Sequence, residues 1–215
     1  QTEFLQEVQV LGGCRHENLL PLIGFSTDVG TPHPPRPSAT ANVEQPPKRG
    51  VGAVCLVLPL MKGGSLEDRL SPEQPAAARR LKMLSGGWLG AGPPPLTWQE
   101  RLHACVCVAR ALDYLHTPDD VVHKPVILHR DIKPANILLD ADMHARLADV
   151  GLARMQMNNM THVSFTQLAG TKGFLDPNYM QTGHFDASAD GYALGVTILM
   201  CLTGWPAFDG SETII

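Results

Sequence analysis

Two polar motifs in the second half of the chain constrain its fold more than any other feature. The first spans residues 129–139, HRDIKPANILL, and the second, DVG at residues 149–151, starts ten residues after the first ends. Apolar runs at residues 137–139 and 145–147 predict two short strands between the motifs. Because its glycine permits a tight turn, the second motif is expected to present its aspartate there. One loop and one turn therefore carry the polar side chains that are the candidates for catalysis.

The residue types in these motifs suit phosphoryl transfer, which needs a proton acceptor, positive charge and metal positions. Asp131 is placed to accept the proton of a substrate hydroxyl, and Lys133 to reach the γ-phosphate of ATP. Asn136 and Asp149 offer the amide and carboxylate oxygens that hard cations prefer. The pattern predicts ATP as cosubstrate and Mg²⁺ as cofactor, with Mn²⁺ as the alternative metal.

The two motifs resemble the catalytic and magnesium-binding loops of eukaryotic protein kinases. Residues 16–20, HENLL, resemble the turn that leads into the fourth strand of that family. Within the superfamily, the chain is similar to plant receptor-like kinases and to the animal Pelle and interleukin-receptor-associated kinases. The phrases that carry this similarity are residues 96–98 (LTW) with Arg101, residues 114–116 (YLH) and residues 170–177 (GTKGFLDP).

The resemblance implies a serine/threonine-protein kinase that acts on a protein substrate in signal transduction. Lys133 favours this acceptor class, because the tyrosine-specific members usually carry arginine at that place or two residues later. The fold implied is α+β: a two-lobed protein kinase-like fold with a partial small β lobe, an αC helix and a mainly helical large lobe.

The same resemblance predicts the domain boundaries. Residues 1–58 are expected to form a partial N-lobe, residues 59–64 the hinge and residues 65–215 a partial C-lobe. The expected segments within the lobes are a Pro-rich insertion at 27–50, a second insertion at 71–95, the catalytic loop at 129–136, the activation segment at 149–178 and an αF-like helix at 186–202.

The nucleotide site is predicted at the hinge. Leu58 would be the gatekeeper, the C=O of Pro59 would accept the adenine amino group, and the N–H of Met61 would donate to the ring. Ser65 would approach the ribose, and Leu138 would form the apolar floor beneath adenine. These five assignments come from the family resemblance.

Two further catalytic positions also come from the resemblance. Glu7 occupies the place of the αC glutamate, and Thr171 would bridge Asp131 and Lys133 in the substrate site. Nothing before Glu7 matches the Gly-rich loop or the lysine that pairs with this glutamate. The residues of this sequence alone are therefore expected to be inactive.

Regulation is predicted at the activation segment. Arg130 precedes the proposed base, and a guanidinium pairs well with a phosphate group. The phosphate would come from Thr161, Ser164 or Thr166, added by an upstream kinase or by self-phosphorylation. Thr166, five residues before Thr171, is the favoured site, and solvated loop residues are the alternative interpretation.

Three residues are predicted to support the loop from inside. Asp190 would accept backbone N–H groups of the catalytic loop, with a helix N-cap as the alternative. His129 and Val150 would join Leu11 and Leu22 in a hydrophobic spine, with Val150 at a position where most kinases have phenylalanine.

Apolar periodicity and turn residues predict the remaining elements. Thr97 is the expected N-cap of the long central helix, with Glu100 completing a capping box. The predicted elements are helices at residues 2–11, 97–116 and 186–202, and strands at residues 19–25 and 53–60.

Composition narrows the function classes. The formal charge is −4, and Lys and Arg are not concentrated in any segment, so neither nucleic-acid binding nor a membrane-surface helix is indicated. The longest nearly uncharged run, residues 192–205, is shorter than the about 20 residues of a membrane span. The five cysteines lack metal-site spacing and are expected to fill the core. The expected location is cytoplasmic, as the intracellular domain of a receptor or as a soluble kinase.

Two other functions fit part of the pattern. A pseudokinase or scaffold would keep the fold as a binding module and lose catalysis, and Asn178, where the family usually has glutamate, is a departure of that kind. A small-molecule phosphotransferase also uses an aspartate and a magnesium turn, but Arg130 and the GTKGF phrase argue against it. Asp131, Lys133, Asn136 and Asp149 together favour the active protein kinase.

Overall fold

A computed structural model describes residues 2–27, 54–71, 95–156, 161–165 and 168–208 of the 215-residue chain. Side chains of residues 2–4, 6–7, 27 and 54 are outside that description. Most of the two predicted insertions and Thr166 also lie outside the described residues.

Five helices and nine strands make up the described part. The helices are α1 (Thr2–Gly13), α2 (Leu66–Leu70), α3 (Trp98–His116), α4 (Pro177–Thr182) and α5 (Ala187–Thr203), with a 3-10 turn at Pro134–Asn136. The strands are β1 (Gly24–Thr27), β2 (Val54–Val57), β3 (Gly64–Ser65), β4 (Val126–Leu128), β5 (Ile137–Leu139), β6 (Ala145–Leu147), β7 (Arg154–Gln156), β8 (Val163–Ser164) and β9 (His184–Phe185).

The first strand pair is shorter than its apolar runs predict. Strands β1 and β2 pair antiparallel, with Gly24 opposite Val57, but residues 19–23 are not part of β1. Leu20 N–H instead donates to the carbonyl of Leu147 in β6 at 2.9 Å. Proline at position 21 has no N–H for a ladder. The segment before β1 is therefore attached to the larger lobe.

Helix α3 confirms the prediction made from its N-cap. Thr97 Oγ1 accepts the N–H of Glu100, and the Glu100 carboxylate accepts the N–H of Thr97 at 2.7 Å. The helix packs its buried face against α5 and β6. Arg101 joins the two helices, because its Nη1 donates to the carbonyl of Cys201 in α5 at 3.0 Å. This pair of helices forms the centre of the core.

Two small sheets position the polar loops. Strands β5 and β6 have the bounds that the sequence predicts, and β5 also pairs with β3. Strand β4 pairs with β7, with Leu128 opposite Arg154. The chain from β4 to β5 is therefore anchored by β7 at its start and by β3 and β6 at its end.

Helix α5 begins at its own cap. Asp186 accepts the N–H of Ser188 at 2.8 Å, and Gly204 ends the helix in the left-handed conformation at φ 74°. The predicted helix at residues 186–202 is confirmed within one residue at each end.

The cysteine prediction is right at four positions and wrong at one. The buried cysteines are Cys14, Cys105, Cys107 and Cys201. Cys55 is exposed, because side chains of β2 alternate between two faces and Cys55 shares the exposed face with Val57. Among the described residues, no helix has the length and apolar character needed to cross a bilayer.

Candidate active site

The loop between β4 and β5 lies against the turn that follows β6. Ala148 N–H donates to the carbonyl of Asn136 at 2.9 Å. Ladder pairing places Ile137 opposite Leu147, so the first residues after the loop and the last before the turn are fixed side by side. The two polar motifs, separate in sequence, therefore form one site.

Four side chains of this site make one hydrogen-bonded network. Lys133 Nζ donates to Asp131 Oδ2 at 2.7 Å and to Thr171 Oγ1 at 2.8 Å. Thr171 Oγ1 donates to Asp131 Oδ1 at 2.6 Å, and Asn136 Nδ2 donates to Asp131 Oδ2 at 2.9 Å. The expected bridge by Thr171 is observed, and both carboxylate oxygens of Asp131 are engaged.

The network keeps Asp131 ionised. Burial alone would raise the pKa of this carboxyl, since only 7% of the residue is exposed. Hydrogen bonds from Lys133 and Thr171, the charge of Lys133 and the Asn136 amide outweigh burial and hold the pKa of Asp131 below its ordinary value. The carboxylate is therefore available as a proton acceptor at neutral pH.

Asn136 and Asp149 fit a divalent cation by the chemistry of their donors. The amide nitrogen of Asn136 is committed to Asp131, to its main-chain carbonyl and to Oδ2, both at 2.9 Å. This leaves the amide oxygen as the atom that can serve a cation. Asp149 is exposed and lies in the left-handed region at φ 64°. A carboxylate and an amide oxygen are ligands that Mg²⁺ and Mn²⁺ accept.

The Asp190 carboxylate fixes the main chain at the start of the loop. It accepts the N–H of His129 at 2.9 Å and the N–H of Arg130 at 2.8 Å. The predicted contact is thus observed, and the N-cap alternative is wrong because Asp186 caps the helix. His116 Nε2 also contacts Asp190, at 2.8 Å. The sequence pattern indicates no role for His116 beyond its place in the YLH phrase.

His129 is a neutral interior residue. Its Nε2 donates to the carbonyl of Ala148 at 3.2 Å, and its Nδ1 accepts the N–H of Asp131 at 3.3 Å. Burial lowers the pKa of His129, although nearby carboxylates oppose this. Val150 is buried in the same core cluster as Leu11, with Leu22 packed against it.

Several of the predicted nucleotide-site residues meet in one apolar cluster. Met61 is buried, and Leu58 and Leu138 pack against it together with Leu20 and Ala148. These side chains bring residues 58–61 and β5 together.

Two other predicted nucleotide-site residues are Pro59 and Ser65. Pro59 is half-buried. The hydroxyl of Ser65 accepts the N–H of Asp68 at 3.1 Å and caps α2. A ribose contact by Ser65 stays a prediction.

A comparison with protein families identifies the family of this chain. The family model described as the protein kinase domain matches residues 1–215. This chain belongs to the protein kinase domain family. The α+β, two-lobed kinase fold and the resemblance to receptor-like kinases are thereby confirmed.

Three of its relatives are plant receptor-like kinases. The chain is 33% identical to a probable receptor-like protein kinase of Arabidopsis thaliana, over 96% of the chain and 20% of that protein. It is 35% identical to a second such protein of this species, over 98% and 28%. It is 34% identical to the leucine-rich repeat receptor-like serine/threonine/tyrosine-protein kinase SOBIR1 of Arabidopsis thaliana, over 94% and 25%. The chain spans between 20% and 28% of the length of these relatives.

In this kinase domain, Glu7 lies on α1, but its side chain is outside the described residues. The pairing expected for the αC glutamate therefore stays a prediction.

The surroundings of Arg130 differ from the expected phosphate site. Its guanidinium donates to the carbonyl of Leu152 and to the hydroxyl of Tyr179, both at 3.2 Å. Its Cζ also lies 3.6 Å from the ring centroid of Phe165. The contacts of Phe165 and Tyr179 with Arg130 could not be predicted from the sequence, since neither residue belongs to a motif with charged partners.

The two described candidates for phosphorylation are both exposed. Thr161 Oγ1 lies 3.1 Å from His162 Nδ1, and Ser164 lies on β8, opposite His184 of β9. No hydrogen bond between either hydroxyl and Arg130 is present in the described part of the chain.

Proposed function

We propose that this kinase domain transfers the γ-phosphate of ATP to serine and threonine hydroxyls of proteins in a signalling pathway. The observation that carries the proposal is the Asp131 network. It combines an ionised carboxylate with an ammonium group and a hydroxyl within 2.6–2.8 Å. Members of the family use ATP and a divalent metal ion.

Each polar group has a role in this reaction. Asp131 orients the acceptor hydroxyl and takes its proton as the hydroxyl oxygen attacks. Lys133 neutralises charge that develops on the transferred phosphoryl group. Thr171 holds both side chains at fixed distances. Asn136 and Asp149 would hold Mg²⁺ or Mn²⁺, which supplies positive charge beside the phosphate oxygens.

The hinge residues are proposed to bind adenine. Leu58, Met61 and Leu138 supply apolar surface, and the Pro59 carbonyl and Met61 N–H supply one acceptor and one donor. Glu7 is proposed to pair with a lysine of the nucleotide lid. A cytoplasmic location, and phosphorylation of the activation segment by an upstream kinase or by the protein itself, stay predictions at this stage.

The test is γ-phosphate transfer by the full-length protein with matched peptides that differ only in a Ser, Thr or Tyr acceptor. We expect transfer to Ser and Thr, and a loss of about a hundredfold or more in Asp131→Asn, since a general base contributes at least that factor. Asp142→Asn, an exposed aspartate on the β5–β6 turn, is the matched control.

Two outcomes would contradict the proposal. Equal transfer by the wild type and Asp131→Asn would leave the binding-module function. Transfer to Tyr alone would overturn the acceptor class, which needs testing because one relative's name includes tyrosine.

A further inference from the structure

Arg130 is a buried cation with neutral partners. Only 4% of the residue is exposed. Its two terminal nitrogens donate to the Leu152 carbonyl and the Tyr179 hydroxyl, and its Nε has no hydrogen-bond partner among the described residues. No ion pair with a carboxylate is found for Arg130 in that part of the chain. A desolvated guanidinium of this kind needs another source of stabilisation.

Aromatic rings provide that stabilisation. The Phe165 ring centroid lies 3.6 Å from Arg130 Cζ, and the Phe185 centroid lies 5.7 Å away. A guanidinium over a ring face is stabilised by the ring quadrupole, and more strongly when water is excluded. Phe165 therefore makes the closer of the two aromatic contacts of Arg130.

Phe165 is itself held in place. Its main-chain N–H, directly after β8, donates to the carbonyl of Gly183 at 3.0 Å. Its ring meets Tyr179 edge to face, with centroids 6.3 Å apart. The Tyr179 hydroxyl accepts the N–H of Ala169 at 3.1 Å. The activation segment is thus folded so that its aromatic side chain covers Arg130.

The main chain of Arg130 explains why this matters for catalysis. Arg130 has φ 73°, a left-handed conformation that is costly for a side chain of this size. It directly precedes Asp131. An ideal Cβ on Gly170 would lie 3.0 Å from the Arg130 carbonyl oxygen, so the segment also packs closely against this main chain. Contacts that fix the Arg130 side chain therefore help to fix the direction of Asp131.

We propose that Phe165 is a positioning residue: its ring holds Arg130, and through it Asp131, in place without a phosphate on the activation segment. The inference rests on the proposed kinase activity and replaces the predicted phosphate contact of Arg130 with a contact to the Phe165 ring. A phosphate group that paired with the edge formed by the two terminal nitrogens would compete with the Leu152 carbonyl and the Tyr179 hydroxyl, each of which accepts one N–H of that edge. Because the Phe165 ring already holds Arg130, turnover does not require phosphorylation.

The experiment uses the full-length protein after phosphatase treatment, with mass spectrometry to establish that residues 161–166 are unphosphorylated. Turnover is measured with ATP and myelin basic protein. We expect the treated wild type to keep its kcat within about twofold. The triple variant Thr161→Ala, Ser164→Ala, Thr166→Ala should behave in the same way.

Phe165→Leu keeps an apolar side chain but removes the ring face. We expect kcat to fall about tenfold, the factor that about 1.4 kcal/mol produces, with an unchanged KM for ATP because Phe165 is not among the residues proposed to bind adenine. Phe165→Tyr should restore most of the lost turnover. Thermal unfolding of both variants checks that the loss is not a failure to fold.

The outcomes separate this inference from the proposed function. A dephosphorylated wild type that loses tenfold or more in kcat overturns the role of Phe165, as does a fully active Phe165→Leu. If γ-phosphate transfer is absent from every form of the protein, both proposals fail together. If transfer depends on Asp131 but not on Phe165, only the present inference fails.

Discussion

The loop at residues 129–136, proposed to be catalytic, is held by two kinds of contact on its two sides. On the α5 side, the buried Asp190 carboxylate accepts the N–H groups of His129 and Arg130. On the activation-segment side, the Arg130 side chain contacts the Phe165 ring and the Tyr179 hydroxyl, both uncharged. The first contact fixes the main chain, and the second fixes a side chain.

This difference separates a permanent support from a conditional one. Asp190 is part of a 17-residue helix inside the core and is fully buried. Phe165 is half-buried and follows a two-residue strand. Because local stability follows burial and packing, the Asp190 contact should persist when the activation segment moves. The contact with Phe165 should depend on the conformation of that segment.

The largest effect is expected for Asp190→Ala. The change leaves two buried N–H groups without an acceptor, at about 1–3 kcal/mol each, so unfolding free energy should fall by about 3 kcal/mol or more and transfer activity should be lost. Chemical denaturation measures the first quantity. Asp186→Ala, at the N-cap of the same helix, is the control and should cost about 1 kcal/mol. If Asp190→Ala and Asp186→Ala lost the same unfolding free energy, Asp190 would be no stronger a support than the helix N-cap.

Much of the α5-side support follows from local sequence. The strands at residues 137–139 and 145–147, the Thr97 capping box and the helix beginning at Asp186 depend on nearby residues, and the structure has them as predicted. The Asp190 contact followed from the family pattern. Local propensity and motif spacing carry this kind of information.

The activation-segment side did not follow from sequence. Arg130 and Phe165 are 35 positions apart, and a phenylalanine in a polar loop gives no signal of a cationic partner. The charge on Arg130 suggested a phosphate, whereas tertiary packing supplies a ring. Cys55 shows the same limit, because an apolar run does not reveal which residues of a two-stranded sheet face the core.

A smaller effect is expected for Tyr179→Phe, which directly tests one of the uncharged contacts of Arg130. The variant removes the hydroxyl that accepts from Arg130 and Ala169. Loss of one shared acceptor should cost about 1–2 kcal/mol of unfolding free energy and lower kcat by less than tenfold.

Tyr114→Phe is the matched control for this substitution. Its hydroxyl accepts only the exposed N–H of Arg15 in the described part of the chain, and we expect a cost of about 0.5 kcal/mol. If Tyr179→Phe cost no more than Tyr114→Phe, the Tyr179 hydroxyl would not support Arg130.

The smallest expected effect is a change of unfolding free energy with pH. It distinguishes the contribution of the Asp131 carboxylate from that of the Phe165 ring. The folded-state pKa of Asp131 lies below its ordinary value, because the hydrogen bonds from Lys133 and Thr171 outweigh burial. Its contribution to stability is therefore present above the unfolded-state pKa of about 3.9 and is lost as the pH falls through the folded-state pKa. Burial cancels part of the shift, so the contribution should be modest.

The measurement compares unfolding free energies of the wild type, Asp131→Asn and Phe165→Leu between pH 7 and pH 3. The difference between the wild type and Asp131→Asn should change only below about pH 4, as the wild type loses the contribution of its ionised carboxylate. The difference for Phe165→Leu should stay constant, because the guanidinium remains charged throughout and the ring does not titrate. A Phe165→Leu difference that follows the same pH profile would show that the ring acts through the Asp131 network rather than through Arg130 alone.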